Sequence, residues 1–149
     1  MRTTTINQFK VSQGYKFCPE IIFDAWVDPE MIPKWLFVGP TSEIINIEID
    51  PVAGGMFSIL ELERNNGEHI EHFGKYKKVA HPRNLEFTLS VSKHFKGETF
   101  ISIEIIPQPG GCHLQLTQTG VPPGTTEKNW RDMLAHLNSV LKEMAKKTL

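Results

Sequence analysis

The chain has 149 residues, of which 40% are hydrophobic and 22% charged, and these proportions exclude an intrinsically disordered protein. Its 16 basic and 17 acidic residues give a net charge of −1, without the basic excess that is typical of nucleic-acid-binding proteins. No stretch approaches the roughly eighteen apolar residues of a membrane span. Two cysteines, Cys18 and Cys112, are too few for a disulfide framework. We therefore predict one cytoplasmic domain over residues 1–149, with reduced thiols that are buried or half-buried.

The N-terminal third predicts a strand followed by two short helices. Apolar and polar residues alternate over Phe9–Phe17, which is typical of a strand with one buried face. Helical spacing begins at Pro19, since proline suits a first helical turn. It ends at Asp28-Pro29, because a residue that precedes proline is disfavoured in the α region. A second short helix is predicted over Glu30–Trp35.

From Ile44 onward the apolar residues recur with a period of two, as in strands that have one buried face. Four clusters rich in glycine, proline and asparagine interrupt this pattern and predict turns. They are Pro51–Gly55, Asn65-Asn66-Gly67, His81–Asn84 and Pro109-Gly110-Gly111. Successive strands joined by short turns indicate an antiparallel meander.

The chain closes with a predicted helix of about twenty residues, which opens at Thr125-Thr126-Glu127. Its apolar residues follow three-and-four spacing, and they are Trp130, Met133, Leu134, Leu137, Val140, Leu141 and Met144. Such a stripe has to be buried, and only the apolar faces of the strands can cover it. The predicted fold class is therefore α+β, with a curved antiparallel sheet of about six or seven strands around the C-terminal helix.

A curved sheet wrapped around a helix leaves a gap that side chains do not wholly close. We predict a mostly apolar ligand pocket there, since such cavities are the usual binding sites. Its predicted lining residues are Trp26, Trp35, Phe37, Phe57, Ile59, Glu61, Phe87, Leu89, Ile103, Leu116, Gln118, Trp130, Met133 and Leu137. The other interpretation is that the aromatic residues fill the gap and form a plain core.

Two of these residues are polar. Glu61 is in phase with Phe57 and Ile59, so strict alternation places its carboxylate on the buried face. Gln118 is likewise in phase with Leu116. Both are candidates for orienting a ligand, and Glu61 is also a candidate general base. The alternative for Glu61 is a solvated position at the open end of the sheet, beside the hairpin.

Other residues with catalytic or metal-binding potential do not form a complete site. His69, Glu71 and His72 are the densest cluster of metal-ligand types, but on a strand His72 points away from the other two. A metal site needs about three converging ligands. No phosphate-binding loop, nucleotide fingerprint or nucleophile elbow occurs. We therefore predict no catalytic residues, no metal and no cofactor, and interpret both cysteines as structural.

Several segments, in order, give the chain a specific resemblance. They are Pro19–Glu30 with Lys34-Trp35, Gly54-Gly55-Met56-Phe57, Phe73-Gly74-Lys75-Tyr76, Pro82–Thr88, Leu114–Gly120 and Trp130. Together they resemble the START/SRPBCC superfamily, in the branch named for homologues of the activator of the heat-shock-protein ATPase. Met56 and Lys75 depart from that branch's usual arginine and acidic residue. Both are expected on the outer face of the sheet, where they bear on partner binding rather than on fold.

The resemblance implies a helix-grip fold whose members bind lipids, polyketides or other hydrophobic molecules, and some of which act on them. Three functions remain open. The favoured one is binding of a small hydrophobic ligand without turnover. The second is a chaperone-associated interaction module that docks through surface residues such as Lys75, Lys77 and Lys78. The third is a cyclase- or hydrolase-type enzyme that uses Glu61. The chain is predicted to be a monomer, or a homodimer formed through a strand edge.

Overall fold

The computed structural model describes residues 7–92, 95–121 and 124–148. Their backbone forms three helices and seven strands in the order β1, Gln8–Tyr15; α1, Pro19–Val27; α2, Ile32–Trp35; β2, Ser42–Ile49; β3, Met56–Glu63; β4, Glu68–Ala80; β5, Asn84–Val91; β6, Phe95–Gln108; β7, Gly111–Thr119; and α3, Thr125–Thr148. No helix in these ranges is long and apolar enough to cross a membrane.

The seven strands form one antiparallel sheet in the order β1-β7-β6-β5-β4-β3-β2. Neighbours from β2 to β7 are also consecutive in the chain, so the predicted meander and the α+β fold class are confirmed. Only β1 departs from this order, because it pairs with β7, from Gln8 opposite Thr119 to Tyr15 opposite Cys112. The segment between β1 and β2 carries α1 and α2, and it crosses from one edge of the sheet to the other.

The helix α3 lies against the inner face of the sheet and buries one stripe. Trp130, Leu134, Leu137 and Leu141 are each at most 6% exposed. The Tyr15 hydroxyl donates a hydrogen bond of 2.9 Å to the Leu134 carbonyl, which ties α3 to β1. Met144 was predicted in the same stripe but is 40% exposed. Residues 142–147 are all exposed, so the helix end projects beyond the surface that covers the stripe.

Two predicted boundaries shift in the structure. The first strand ends at Tyr15 rather than at Phe17. The second helix begins at Ile32 rather than at Glu30, because the chain first makes hydrogen-bonded turns in which the Asp28 carbonyl accepts from the Met31 and Ile32 amides. These turns set the direction of α2, which leads the chain into the inner face at Trp35.

Candidate functional site

An aromatic cluster lies at the centre of the inner face, where α1 and α2 meet the sheet. Trp26 contacts Trp35 edge to face at a centroid distance of 4.8 Å and stacks on Trp130 at 5.7 Å. Phe57 meets Phe87 edge to face at 5.5 Å. The Trp35 indole donates to the Ala25 carbonyl at 2.9 Å, which holds α1 against α2. Aromatic pairs in such geometry add to the stability gained from burial alone.

The structure buries twelve of the fourteen predicted lining residues. These are Trp26, Trp35, Phe37, Phe57, Ile59, Phe87, Leu89, Ile103, Leu116, Gln118, Trp130 and Leu137. Glu61 and Met133 are partly buried. The sequence thus identified a set of inward-facing residues, but it did not identify how closely they pack.

The remaining space inside the cluster is about 10 Å³. It is bordered by aromatic and aliphatic side chains, among them Trp26, Phe37, Phe57 and Tyr76. A space of this size holds about one water molecule. An open, ligand-sized pocket is therefore not seen here, because the aromatic rings fill the predicted gap. Burial also raises the pKa of the Tyr76 phenol, so this hydroxyl stays uncharged.

Gln118 is the centre of a buried hydrogen-bond network between the sheet and α3. The Trp130 indole donates to Gln118 Oε1 at 2.8 Å, and Gln118 Nε2 donates to Thr99 Oγ1 at 3.0 Å. The Thr99 hydroxyl in turn donates to the Leu89 carbonyl at 3.0 Å. The predicted inward direction of Gln118 is correct, and its amide is already used to orient Trp130.

Glu61 also faces inward. The alternative prediction, a solvated position at the open end of the sheet, is therefore wrong. Its side chain is 14% exposed, and its Oε1 lies 2.9 Å from Nε2 of His72, whose side chain is 9% exposed. Alternation along the strand predicted that His72 points away from His69 and Glu71, but it did not predict the pair with Glu61. The pair became visible only through the register of β3 with β4, in which Ile59 lies opposite His72 and Ile70 opposite Glu61.

His69 and Glu71 lie on the outer face, as predicted from alternation. The Ser58 hydroxyl donates to Glu71 at 2.7 Å there. Within the described ranges, no group of three or more histidine, cysteine or acidic side chains is placed to hold a metal ion.

Phe37 lies between the Glu61–His72 pair and the Gln118–Trp130 pair of the inner face. Its ring stacks on the His72 imidazole at 4.1 Å with an interplanar angle of 5°, and it meets Trp130 edge to face at 5.7 Å. The Phe37 amide donates to the Met133 sulfur at 3.2 Å. Its φ of 59° lies in the left-handed region, which costs a non-glycine residue about 1–2 kcal/mol. The contacts of the Phe37 ring therefore contribute more free energy than the strained φ angle costs.

Two buried ring nitrogens around Phe37 lack a hydrogen-bond partner among the described residues. They are Trp26 Nε1 and His72 Nδ1. An unsatisfied buried polar group costs about 1–3 kcal/mol. Most buried polar atoms in proteins are paired, so both nitrogens call for a functional or a solvent-related explanation.

A second, more polar depression of about 320 Å³ lies beside the turn between β6 and β7. Tyr15, Lys16, Cys112, Asn138 and Lys142 border it. The buried Asn138 Oδ1 has no partner in the described part of the chain. This depression lacks the apolar lining that suits a hydrophobic ligand, so the aromatic cluster is the better candidate site.

The two thiols differ in environment. Cys112 is buried as predicted, whereas Cys18 is exposed, contrary to prediction. Cys18 directly precedes α1, on a connecting segment rather than in a strand. Burial and, secondarily, the nearby Cys18 thiol raise the pKa of Cys112 to about 11.

We expect native protein at pH 8 to react with Ellman's reagent rapidly at Cys18 and slowly at Cys112, because thiolate is the reacting form. Because the folded pKa of Cys112 is raised, its effect on stability is absent below the unfolded value near 9 and becomes destabilising as the pH rises toward 11. Cys112→Ala should remove the slow phase, and Cys18→Ala the fast one. Equal rates for both thiols in the folded protein would contradict this assignment.

The fold matches solved structures of bacterial proteins over most of the chain. A protein from Chromobacterium violaceum is 21% identical, with a TM-score of 0.81 over 90% of this chain and 96% of that one. An AHSA1-like protein from Aeromonas hydrophila is 18% identical, with a TM-score of 0.81 over 93% and 94%. A protein from Rhodobacter sphaeroides is 18% identical, with a TM-score of 0.82 over 93% and 97%. At these identities the likeness establishes the fold alone.

The family model described as "Activator of Hsp90 ATPase homolog 1-like protein" matches residues 16–145. No curated protein sequence matches the chain significantly.

Proposed function

Because this chain belongs to the family of Activator of Hsp90 ATPase homolog 1-like proteins, within the START/SRPBCC superfamily, we propose that it binds a small hydrophobic molecule between the sheet and α3. The binding site is the space that the Phe37 ring fills in this structure. With the Phe37 ring moved out, the other thirteen residues predicted to line the pocket, from Trp26 to Leu137 in chain order, surround the ligand. The molecule is bound rather than transformed.

The observation that carries this proposal is the conformation of Phe37. Its backbone is strained, and its ring lies between His72 and Trp130. Movement of the Phe37 backbone out of the left-handed region would relieve the strain and, by carrying the ring outward, open a space bordered by apolar side chains. A ligand that takes the place of the ring recovers the lost contacts, so the cost of opening is partly offset. Strained residues of this kind cluster at ligand-binding positions.

Replacing Phe37 by glycine should strengthen the binding of a hydrophobic probe such as 1-naphthol by about tenfold. Glycine adopts a φ of 59° without strain, and the variant no longer spends binding free energy on moving the ring. Binding is measured through the fluorescence of Trp26 and Trp130, or by calorimetry. Native mass spectrometry of freshly purified wild-type protein would show any co-purifying molecule.

Phe23→Ala is the matched control, since Phe23 is 2% exposed and packs edge to face on His81 rather than on Trp130. It removes a buried ring of the same size elsewhere and should leave the affinity for 1-naphthol unchanged. Phe37→Leu replaces the glycine variant if circular dichroism shows the latter to be unfolded. Wild-type protein and folded Phe37 variants that all fail to bind the probe would refute the proposal.

The family description also supports a second candidate, a chaperone-associated interaction module. On the outer face, Met56 is 68% and Phe73 is 39% exposed, beside the exposed Lys75. Such a surface suits a protein partner. Binding through it would be insensitive to Phe37→Gly and sensitive to replacement of Phe73 or Lys75, whereas ligand binding would show the opposite pattern.

A further inference from the structure

The Glu61–His72 pair is costly on a face that is otherwise largely apolar. Its two side chains are 14% and 9% exposed, and a buried ionisable pair is often no more stabilising than well-packed apolar residues. Fold stability alone therefore does not account for it. The ring of His72 adjoins the candidate site, since Ile59 lies opposite it in the register and Phe37 stacks on it.

The contact with Glu61 determines which ring nitrogen of His72 carries the proton. We assign the donor role to the Nε2–H group, because a carboxylate at Glu61 can only accept across the 2.9 Å separation. In the uncharged imidazole the other nitrogen, Nδ1, is then a hydrogen-bond acceptor. This Nδ1 is buried and has no partner among residues 7–92, 95–121 and 124–148.

We propose that His72 Nδ1 accepts a hydrogen bond from a hydroxyl group of the ligand, so that the site selects hydrophobic alcohols or phenols over hydrocarbons and ethers of the same shape. The inference rests on the proposed function and specifies its ligand class. Glu61 acts as a positioning residue, since its hydrogen bond with Nε2 keeps Nδ1 of the imidazole unprotonated. The apolar part of the ligand lies against Trp130 and Ile59, in the space that the Phe37 ring vacates. Because the Nδ1 lone pair lies in the imidazole plane, the ligand is tilted away from the stacked orientation of Phe37 so that its hydroxyl meets the edge of the imidazole.

Three probes of similar shape test the selection, namely 1-naphthol, 1-methoxynaphthalene and naphthalene. Wild-type protein should bind 1-naphthol about tenfold more tightly than the other two, which corresponds to ~1.4 kcal/mol for the hydroxyl group. His72→Phe should abolish this preference, because the phenyl ring can still stack on Phe37 but cannot accept the hydrogen bond. Its affinity for naphthalene should stay near that of wild type.

His69→Phe is the matched control, since the same substitution on the same strand then falls on the outer face. It should keep the tenfold preference. Equal affinity of wild-type protein for all three probes would overturn the inference and leave the proposed function standing. Failure of all three to bind either wild type or Phe37→Gly would overturn both.

A second measurement needs no ligand. Nitrogen-15 chemical shifts of the His72 ring, recorded at pH 8, should report a proton on Nε2 and an unprotonated Nδ1. Glu61→Leu should lower the fraction of the tautomer that carries its proton on Nε2. A proton on Nδ1 in wild-type protein would overturn the inference whatever the probes do.

Discussion

Trp130→Ala should lower the free energy of unfolding by about 3–5 kcal/mol, the usual cost of removing a buried aromatic side chain. Trp130 is 1% exposed and contacts both Trp26 and Phe37, so its removal leaves these rings without their common neighbour. It also leaves Gln118 Oε1 without the indole donor. Chemical unfolding in urea, followed by circular dichroism, measures the change.

Trp130→Phe separates packing from hydrogen bonding. It keeps part of the aromatic contact and removes the donor, so we expect a loss of about 1–3 kcal/mol from the unsatisfied Gln118 carbonyl, in addition to the cost of the smaller ring. Adding Gln118→Leu to Trp130→Phe should recover part of that loss, because the unpaired Gln118 carbonyl is then absent. The recovery is partial because Thr99 Oγ1 loses the Gln118 Nε2 donor. If Trp130→Phe were as stable as wild type, the Gln118 bond would contribute nothing to the fold.

Gly74→Ala should destabilise the protein by about 3 kcal/mol or more, through overpacking that the backbone cannot relieve. A Cβ atom at Gly74 would lie 1.9 Å from the Thr88 carbonyl oxygen and 3.0 Å from the Phe57 ring. The carbonyl belongs to β5, which is hydrogen-bonded to β4, so relief of the clash requires separation of the two strands. A thermal unfolding series together with urea titration would quantify the loss.

Gly14→Ala is the control for this effect. Gly14 is also a strand glycine, in β1, but a Cβ there would meet no atom within 4 Å. Its replacement should change stability by less than about 1 kcal/mol, and alanine can even stabilise by restricting the unfolded chain. Comparable losses at both positions would show that strand propensity, rather than the contact with Thr88, sets the cost.

Much of the inner face was predictable because the pleat of a strand is local. Phe57, Ile59 and Glu61 share one side of β3 for the same reason that Leu116 and Gln118 share one side of β7. The spacing of Trp130, Leu134 and Leu137 similarly predicted the buried stripe of α3. His72 could also have been placed inside, because it alternates in phase with Ile70.

The size of the predicted pocket could not be derived from alternation. Alternation decides which side of a strand each residue occupies, and the structure buries twelve of the fourteen residues that were predicted to line the pocket. It carries no information on how far opposing side chains interpenetrate. In the structure the aromatic rings occupy the gap, and only about 10 Å³ remains.

The sequence by itself determined the order of the elements, the α+β class and the inward set of residues, since all of these follow from local periodicity and turn chemistry. Only the tertiary structure decided the pairing of Glu61 with His72, the placement of Phe37 over that pair and the closure of the pocket. These depend on the register between β3 and β4 and on the loop that follows α2. The register follows from the geometry of the short turn between Glu63 and Glu68, which alternation does not specify. The position of Phe37 depends on contacts with Met133 and Trp130, which are distant in the chain.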